Sequence, residues 1–303
     1  MLGTFYIRNI KARVQMAQMN VSARAVDMLG RQQIAGIPTA IHELFKNAHD
    51  AYATHAEIDY FQDQNLVTLR DNGIGMTEED FYKKWLTIGT SSKFGVNRKS
   101  DYIPQGMRER KLMGEKGIGR LAIASIGRQV IVLSRAERKD GLHDMIVALI
   151  HWSQFEIPEI GISEIIIPTR TFAEDQLPSL EDVQSMANEL IEHLKTLGNA
   201  IPPSYFELIS EDLKLFSFSP EVLFKNLQKK SKTTWEEGKR DGNSDGSLPI
   251  LDGLGRGTHF IIMPCDETLG KVRISPVLAL RVLKVDRCKA QFAANGPSPS
   301  QEL

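Results

Sequence analysis

Cysteine is nearly missing from this chain. Cys265 and Cys288 are the two among 303 residues, too few and too isolated for a disulfide scaffold or a zinc site, which fits a reducing compartment. Long hydrophobic runs are also lacking. The longest, Met145 to Ile150, is one strand's worth, against the about 18 apolar residues that a membrane span needs. The N-terminal MLGTFYIRNIKARVQ has no apolar h-region and no cleavage pattern of a secretory signal. A cytoplasmic protein without membrane contact is therefore expected. Nor is there an excess of charge: 37 Lys+Arg face 38 Asp+Glu, a net charge of −1. That argues against a strongly basic nucleic-acid coat, though not against a local basic patch. No internal repeat is present. The hydrophobic fraction of 42% and charged fraction of 25% are those of a globular chain with a real core. The length fits two domains, or one mixed domain with insertions.

An amphipathic stretch, Ala23 to Leu29, precedes Gly36-Ile37-Pro38-Thr39, which reads as a helix start with Thr39 as candidate cap. The helix would run through AIHELFKNAHDAYA, where Ala40, Leu44, Ala48 and Ala51 keep helical spacing. Glu57 to Phe61 and Leu66 to Arg70 look like strands, the second ended by Asp71-Asn72-Gly73. Thr77-Glu78-Glu79-Asp80 looks like another helix N-terminus, with acids in its first turn. Residues 89–119 are rich in Gly, Ser, Lys and Arg, a long loop of the kind that is functional or disordered. An apolar helix is expected at Arg120 to Ile126, and strands at Gln129 to Arg135, Met145 to Trp152, Glu164 to Pro168 and Gly257 to Met263. Residues 175–230 are mostly helical in pattern, and Lys229 to Ser247 reads as a polar, mobile insertion.

Three groups carry chemistry. Glu43, Asn47 and Asp50 stand at i, i+4 and i+7 and so project from one helix face. A carboxylate and a carboxamide one turn apart can hold hydrated Mg²⁺ and position a water, with Glu43 as candidate base and Asn47 as candidate ligand. The same pattern also describes a plain solvated helix face. Asp71-Asn72-Gly73-Ile74-Gly75-Met76 follows a strand. Its glycines admit a ligand close to the backbone, and Asp71 can accept from an exocyclic amine such as that of adenine. An Asn-Gly hairpin turn reads equally well. Gly114-Glu115-Lys116-Gly117-Ile118-Gly119-Arg120 opens a helix and offers N–H groups to phosphate. It is neither a Walker A loop nor a dinucleotide fingerprint, and a glycine-rich hinge is as good a reading.

In this order, Glu43–Asn47, Asp71-x-Gly73-x-Gly75, Gly114-x-x-Gly117-x-Gly119 and Gly257-Thr258 together resemble the GHKL ATPase superfamily: gyrase B, heat-shock chaperones, histidine kinases and MutL. The flavour is that of the MutL-, MORC- and chaperone-type domains. ELFKNAHDA looks like the N box and DNGIGM like the adenine motif. IGTSSK, with Thr90, Ser91 and Lys93, is similar to the Thr/Ser-Lys segment. GEKGIGR looks like the lid glycine motif and Gly257-Thr258 like the distal Gly-Thr box. The likeness covers residues 20–135 and the strand at 257–263.

The resemblance implies an α/β fold, the Bergerat two-layer sandwich of a mixed sheet with helices on one face, plus a largely helical insertion. It implies an ATP-binding core at 31–152 plus 257–268 with a lid at 89–119. Around that core the sequence leaves an N-terminal segment 1–30, which the resemblance implies as a dimer contact, an insertion or subdomain at 153–256 with no readable motif, and a C-terminal helix and disordered tail at 269–303. ATP and Mg²⁺ are the implied cofactors. Glu43 would activate the attacking water and, through water, share the metal with Asn47. Asp71 would take the adenine amino group, Gly75 would give the base room, and Thr258 would support Asp71 through its hydroxyl. Asp50, Gly73, Met76, Thr90, Ser91, Lys93, Gly114, Lys116, Gly117, Ile118, Gly119 and Arg120 would complete the nucleotide site.

ATP hydrolysis coupled to homodimerisation and to a protein partner is thus expected, with DNA-linked or antiphage-defence roles, and nucleic acid itself, only weakly supported. Hydrolysing members usually take a lysine from a following domain. Residues 259–303 hold Lys271, Lys284 and Lys289 but look too short for one. Slow turnover is expected, and a nucleotide-gated binding module is the alternative. A histidine kinase fits less well, because the first histidine, His42, lies inside the N box itself.

Overall fold

Gly36 takes φ +87°, a conformation open to glycine at no steric cost. Helix α2 (Ile37–Asp50) starts directly after it, with Pro38 in the first turn, where a missing N–H breaks no intrahelical bond. The expected cap, Thr39, lies inside the helix, and its hydroxyl donates to the Ala35 carbonyl at 3.3 Å. Glycine geometry therefore sets this start in place of a side-chain acceptor. Ile37, Ala40, Ile41, Leu44, Phe45 and Ala48 are buried, and Glu43, Lys46 and Asn47 fall on the half-buried side. A short helix α1 (Arg24–Leu29) precedes it. The computed structural model describes residues 20–88, 102–114, 119–173, 176–217, 223, 255–269 and 286–291.

The strands are β1 (His55–Phe61), β2 (Leu66–Asp71), β3 (Gln129–Arg138), β4 (Gly141–His151), β5 (Thr169–Phe172), β6 (Gly257–Ile262) and β7 (Asp286–Gln291). They form one seven-stranded sheet in the order β5-β4-β3-β6-β2-β1-β7. All six described pairings are antiparallel, where a mixed sheet was expected. The short β1–β2 and β3–β4 connections permit nothing else, because a parallel neighbour needs a crossover of about a dozen residues. The late strand β6 enters between β2 and β3, so Asp71 faces Thr258 in register and Thr258 faces Ser134.

Four local expectations are revised. Glu164 to Pro168 is not a strand: a 3-10 turn covers Ile162–Glu164, and pairing starts only after Pro168, which has no N–H for a ladder. The apolar helix expected from Arg120 is a tighter 3-10 segment, Gly119–Ser125. Within 269–303, expected as helix and tail, residues 286–291 form β7 and pair with β1. Within 153–256, expected as an insertion or subdomain, β5 joins the main sheet.

Thr77 and Asp80 form a reciprocal capping box on α3 (Glu78–Asp80), which runs into one π-helical turn. Helix α4 (Leu180–Thr196) has the same device in Ser179 and Asp182. It is followed by α5 (Pro203–Lys214). Arg128 donates twice to the Asp212 carboxylate, at 2.5 and 2.6 Å, and His151 reaches it at 3.2 Å. Asp212 on α5 is thereby tied to the chain at the start of β3 and the end of β4. One core cluster joins α2, the sheet, α4 and α5. Arg70 on β2 is fully buried and donates to Glu57 and Asp59 on β1 at 2.6 and 2.8 Å. No helix among the described residues is long and apolar enough to cross a membrane.

Candidate functional site

Glu43 and Asn47 lie one turn apart on the half-buried side of α2, and Gly119 closes over them. A Cβ placed on Gly119 would sit 2.9 Å from Glu43 Oε2 and 3.8 Å from Asn47 Nδ2. Any side chain there would press on the carboxylate. The Glu43 carboxylate also accepts from Lys46 at 2.7 Å. Lys46 and Glu43 both bear on His42, whose pKa is lowered by burial first and by Lys46 second, with Glu43 opposing. Among the described residues the Asn47 carboxamide has no hydrogen-bond partner. It is a free hard-oxygen donor beside a carboxylate.

Asp50, at the end of the same helix, faces the returning chain. Its two oxygens accept from the Met113 N–H at 2.8 Å and the Gly114 N–H at 3.0 Å. Both Asp50 and the Gly114 amide are therefore committed to each other. Arg110 fixes the same junction: it donates to the carbonyls of His49 and Ala53 at 3.1 and 2.8 Å and lies over the Tyr52 ring, 5.4 Å from its centroid. The carbonyl end of a helix favours a cation.

Asp71 ends β2 and is 4% exposed. Its Oδ1 accepts the Gly73 N–H at 2.8 Å. Burial pushes the carboxyl up to about 7, against the pull of the Gly73 and Thr258 backbone. A Cβ on Gly73 would meet the Ala51 carbonyl oxygen at 2.7 Å, so glycine is required where the Asp71 loop crosses the end of α2. Gly75, expected to give a base room, has φ +62° and lies against the Arg135 carbonyl of β3. Its need for glycine comes from that backbone crossing. Thr258, expected to support Asp71 through its hydroxyl, turns that hydroxyl to Ser134 Oγ at 2.8 Å. Ser134 Oγ also accepts the Met76 N–H at 2.9 Å. The half-buried Met76 packs against the core.

Two residues that hold this loop escaped the sequence reading. Ser134 links Met76 to Thr258, and its one signal was a lone hydroxyl in the apolar run Val130 to Leu133. Arg138 donates to the carbonyls of Ile74 and Gly75 at 2.9 and 3.1 Å and pairs with Asp80. Burial would raise the Asp80 carboxyl, but Lys84 and Arg138 outweigh it and hold it at about 2. Nothing local in the sequence marks Arg138.

The site gathers Glu43, Asn47 and Gly119 at one helix face, with Asp50 and Gly114 at its end. Asp71, Gly73, Gly75, Met76 and Thr258 gather around the end of β2. Arg120 does not join them: its guanidinium donates to the Thr87 carbonyl at 2.6 Å and lines a separate apolar cavity. Thr90, Ser91, Lys93, Lys116, Gly117 and Ile118 lie outside the described residues, as does segment 1–19. No group of three or more His, Cys, Asp or Glu poised for a metal occurs among the described residues. A hydrated Mg²⁺ shared with phosphates needs no such group.

Residues 36–170 match the family model described as "Histidine kinase-, DNA gyrase B-, and HSP90-like ATPase". The chain is 34% identical over 131 residues to "Putative type II restriction enzyme HgiDII" of Herpetosiphon aurantiacus, covering 43% of this chain and 20% of that protein. It is 32% identical over 95 residues to the chaperone protein HtpG of Salinispora arenicola (31% of this chain, 15% of the relative). It is 28% identical over 150 residues to HtpG of Mycolicibacterium vanbaalenii (41% and 22%). The chain thus spans about a fifth or less of the length of the curated relatives it matches.

Proposed function

Residues 36–170 carry a domain of the histidine kinase-, DNA gyrase B- and HSP90-like ATPase family, and from that premise we propose that this chain binds Mg·ATP between α2 and the end of β2 and hydrolyses it slowly. The observation that carries the reading is the close approach of Gly119 to both Glu43 and Asn47. A backbone free of side chain passes over a carboxylate and an unpartnered carboxamide, so the glycine segment, the candidate base and the candidate metal ligand come together. Asn47 would hold Mg²⁺, which when bound supplies charge neutralisation across the phosphates. Glu43 would take the proton from the attacking water. Asp71 keeps one oxygen on the Gly73 N–H and offers the other to the adenine amino group. The N–H groups of Gly117, Gly119 and their neighbours would meet the phosphates, with Asp50 positioning the start of that stretch through Met113 and Gly114. The ATP-binding core would be 31–152 plus 257–268, with 89–119 as its lid, and nucleotide state would set homodimerisation and partner engagement.

The deciding experiment is steady-state phosphate release with Mg·ATP, alongside ATP binding on the same samples. Wild type should turn over. Glu43→Ala should keep ATP binding and lose about 10²–10⁴-fold in rate, the span of a general base. Unchanged turnover in that variant overturns the role of Glu43. Sedimentation velocity with and without a non-hydrolysable ATP analogue tests the dimer, which should appear only with nucleotide.

One observation favours a second reading, a nucleotide-gated module with little turnover. Lys46 holds one Glu43 carboxylate oxygen at 2.7 Å, which engages the group that would have to take the proton from water. Lys46→Met should then raise phosphate release. A wild type that binds ATP and releases no phosphate would establish the module, and release gained in Lys46→Met would show that this contact holds turnover down.

A further inference from the structure

One residue along the chain from Gly119 begins a cavity of about 170 Å³ that the nucleotide reading leaves unused. Its wall includes Trp85 and Ile88 from before loop 89–118, Arg120 and Leu121 from after it, and Trp152 and Phe155. None of Glu43, Asn47 and Asp71 lines it. The volume is that of a small-molecule site, since an apolar cavity of about 150 Å³ takes up benzene.

Arg120 is the one charged residue among the described residues of this wall. Its guanidinium donates to a neutral acceptor, the Thr87 carbonyl, at 2.6 Å, and no carboxylate among the described residues pairs with it. Burial lowers its pKa to about 10 with no acid opposing the shift. A guanidinium has five donors in a planar fork, and a half-buried cation without a counter-ion is favoured by gaining one. The group that answers both its charge and its shape is a carboxylate held by two parallel hydrogen bonds. The rest of the described wall is aromatic and aliphatic and gives a bare inorganic anion nothing to replace its water. The occupant must carry an apolar body of about one ring.

We propose that this cavity binds a small aryl-alkyl carboxylate, with the ring among Trp85, Leu121, Trp152 and Phe155 and the carboxylate on Arg120. The proposal stands on Arg120 and its cavity and is independent of ATP hydrolysis.

The test is isothermal titration of the whole chain with 3-phenylpropionate, 3-phenyl-1-propanol and propionate, with tryptophan fluorescence as a second readout because Trp85 and Trp152 line the site. The expected result is one saturable site in which 3-phenylpropionate binds at least ten-fold tighter than either the alcohol or propionate. Arg120→Gln should bring the carboxylate down to the level of the alcohol, with thermal unfolding measured to confirm that the variant is folded. Asp71→Asn, in the candidate nucleotide site, should leave the affinity unchanged. No binding, equal binding of acid and alcohol, undiminished binding in folded Arg120→Gln, or loss in Asp71→Asn would each overturn the proposal. The comparison of acid with alcohol needs only wild type, so it decides the matter even where Arg120→Gln fails to fold.

Discussion

Asp71 has the most displaced protonation equilibrium in the candidate site, and the displacement has a measurable consequence. Burial lifts its carboxyl from 3.8 to about 7. With the folded value above the unfolded one, the stabilisation from this group is full below pH about 4 and is lost as pH rises through about 7. Asp71→Asn removes that slope. Without nucleotide, the variant should exceed wild type in unfolding free energy at pH 8 by up to about 4 kcal/mol, and by less at pH 5. Urea unfolding at the two pH values checks this, and a gap that does not widen with pH refutes the assignment. The same variant should fail to bind ATP. Gly73 keeps the amide oxygen occupied, so the new NH₂ would point a donor at the donor of adenine.

Elements were legible where a local signal dominates. The Thr77 cap, the apolar stripe of α2 and the strand-forming runs of β1 and β2 act within a few residues, and each is where the sequence places it. Elements fixed by a partner were not legible. β7, DRCKAQ, has no apolar alternation and is a strand because the edge of β1 offers it a ladder. Helix α5 is held in a comparable way, by Asp212 against Arg128 and His151. Asp212→Ala should cost about 1.5–3 kcal/mol, the span of hydrogen bonds to a charged group. Arg128, 45% exposed, recovers water and limits the loss. Hydrogen exchange should speed up in residues 203–214 and stay unchanged in α2. Equal protection of α5 in both proteins would show that apolar packing alone seats it.

At the scale of the molecule, β6 decides whether the site exists. It is bonded on both sides, to β2 and β3, and Phe260 is opposite Leu69 on one side and Val132 on the other. A proline there removes a ladder donor in the middle of the sheet. Phe260→Pro should abolish the cooperative thermal transition, whereas Lys289→Pro, in the edge strand β7, should leave it in place at a lower midpoint. Far-UV circular dichroism on heating distinguishes the two. Equal tolerance of both substitutions would contradict the central position of β6.

The sequence by itself determined the pieces that a few neighbouring residues can specify. It placed Glu43 one helical turn before Asn47, and it placed Asp71 at a strand end beside glycines that let the backbone pass closely. Tertiary structure decided which of these pieces meet and what each polar group does. Asp50 spends both oxygens on Met113 and Gly114, Thr258 gives its hydroxyl to Ser134, and Arg120 turns from the glycine motif into an apolar cavity. The physical reason is range. Helix periodicity and caps act over one or two turns, whereas the pairing of Asp71 with Thr258, and of Thr258 with Ser134, forms only when distant strands close one sheet.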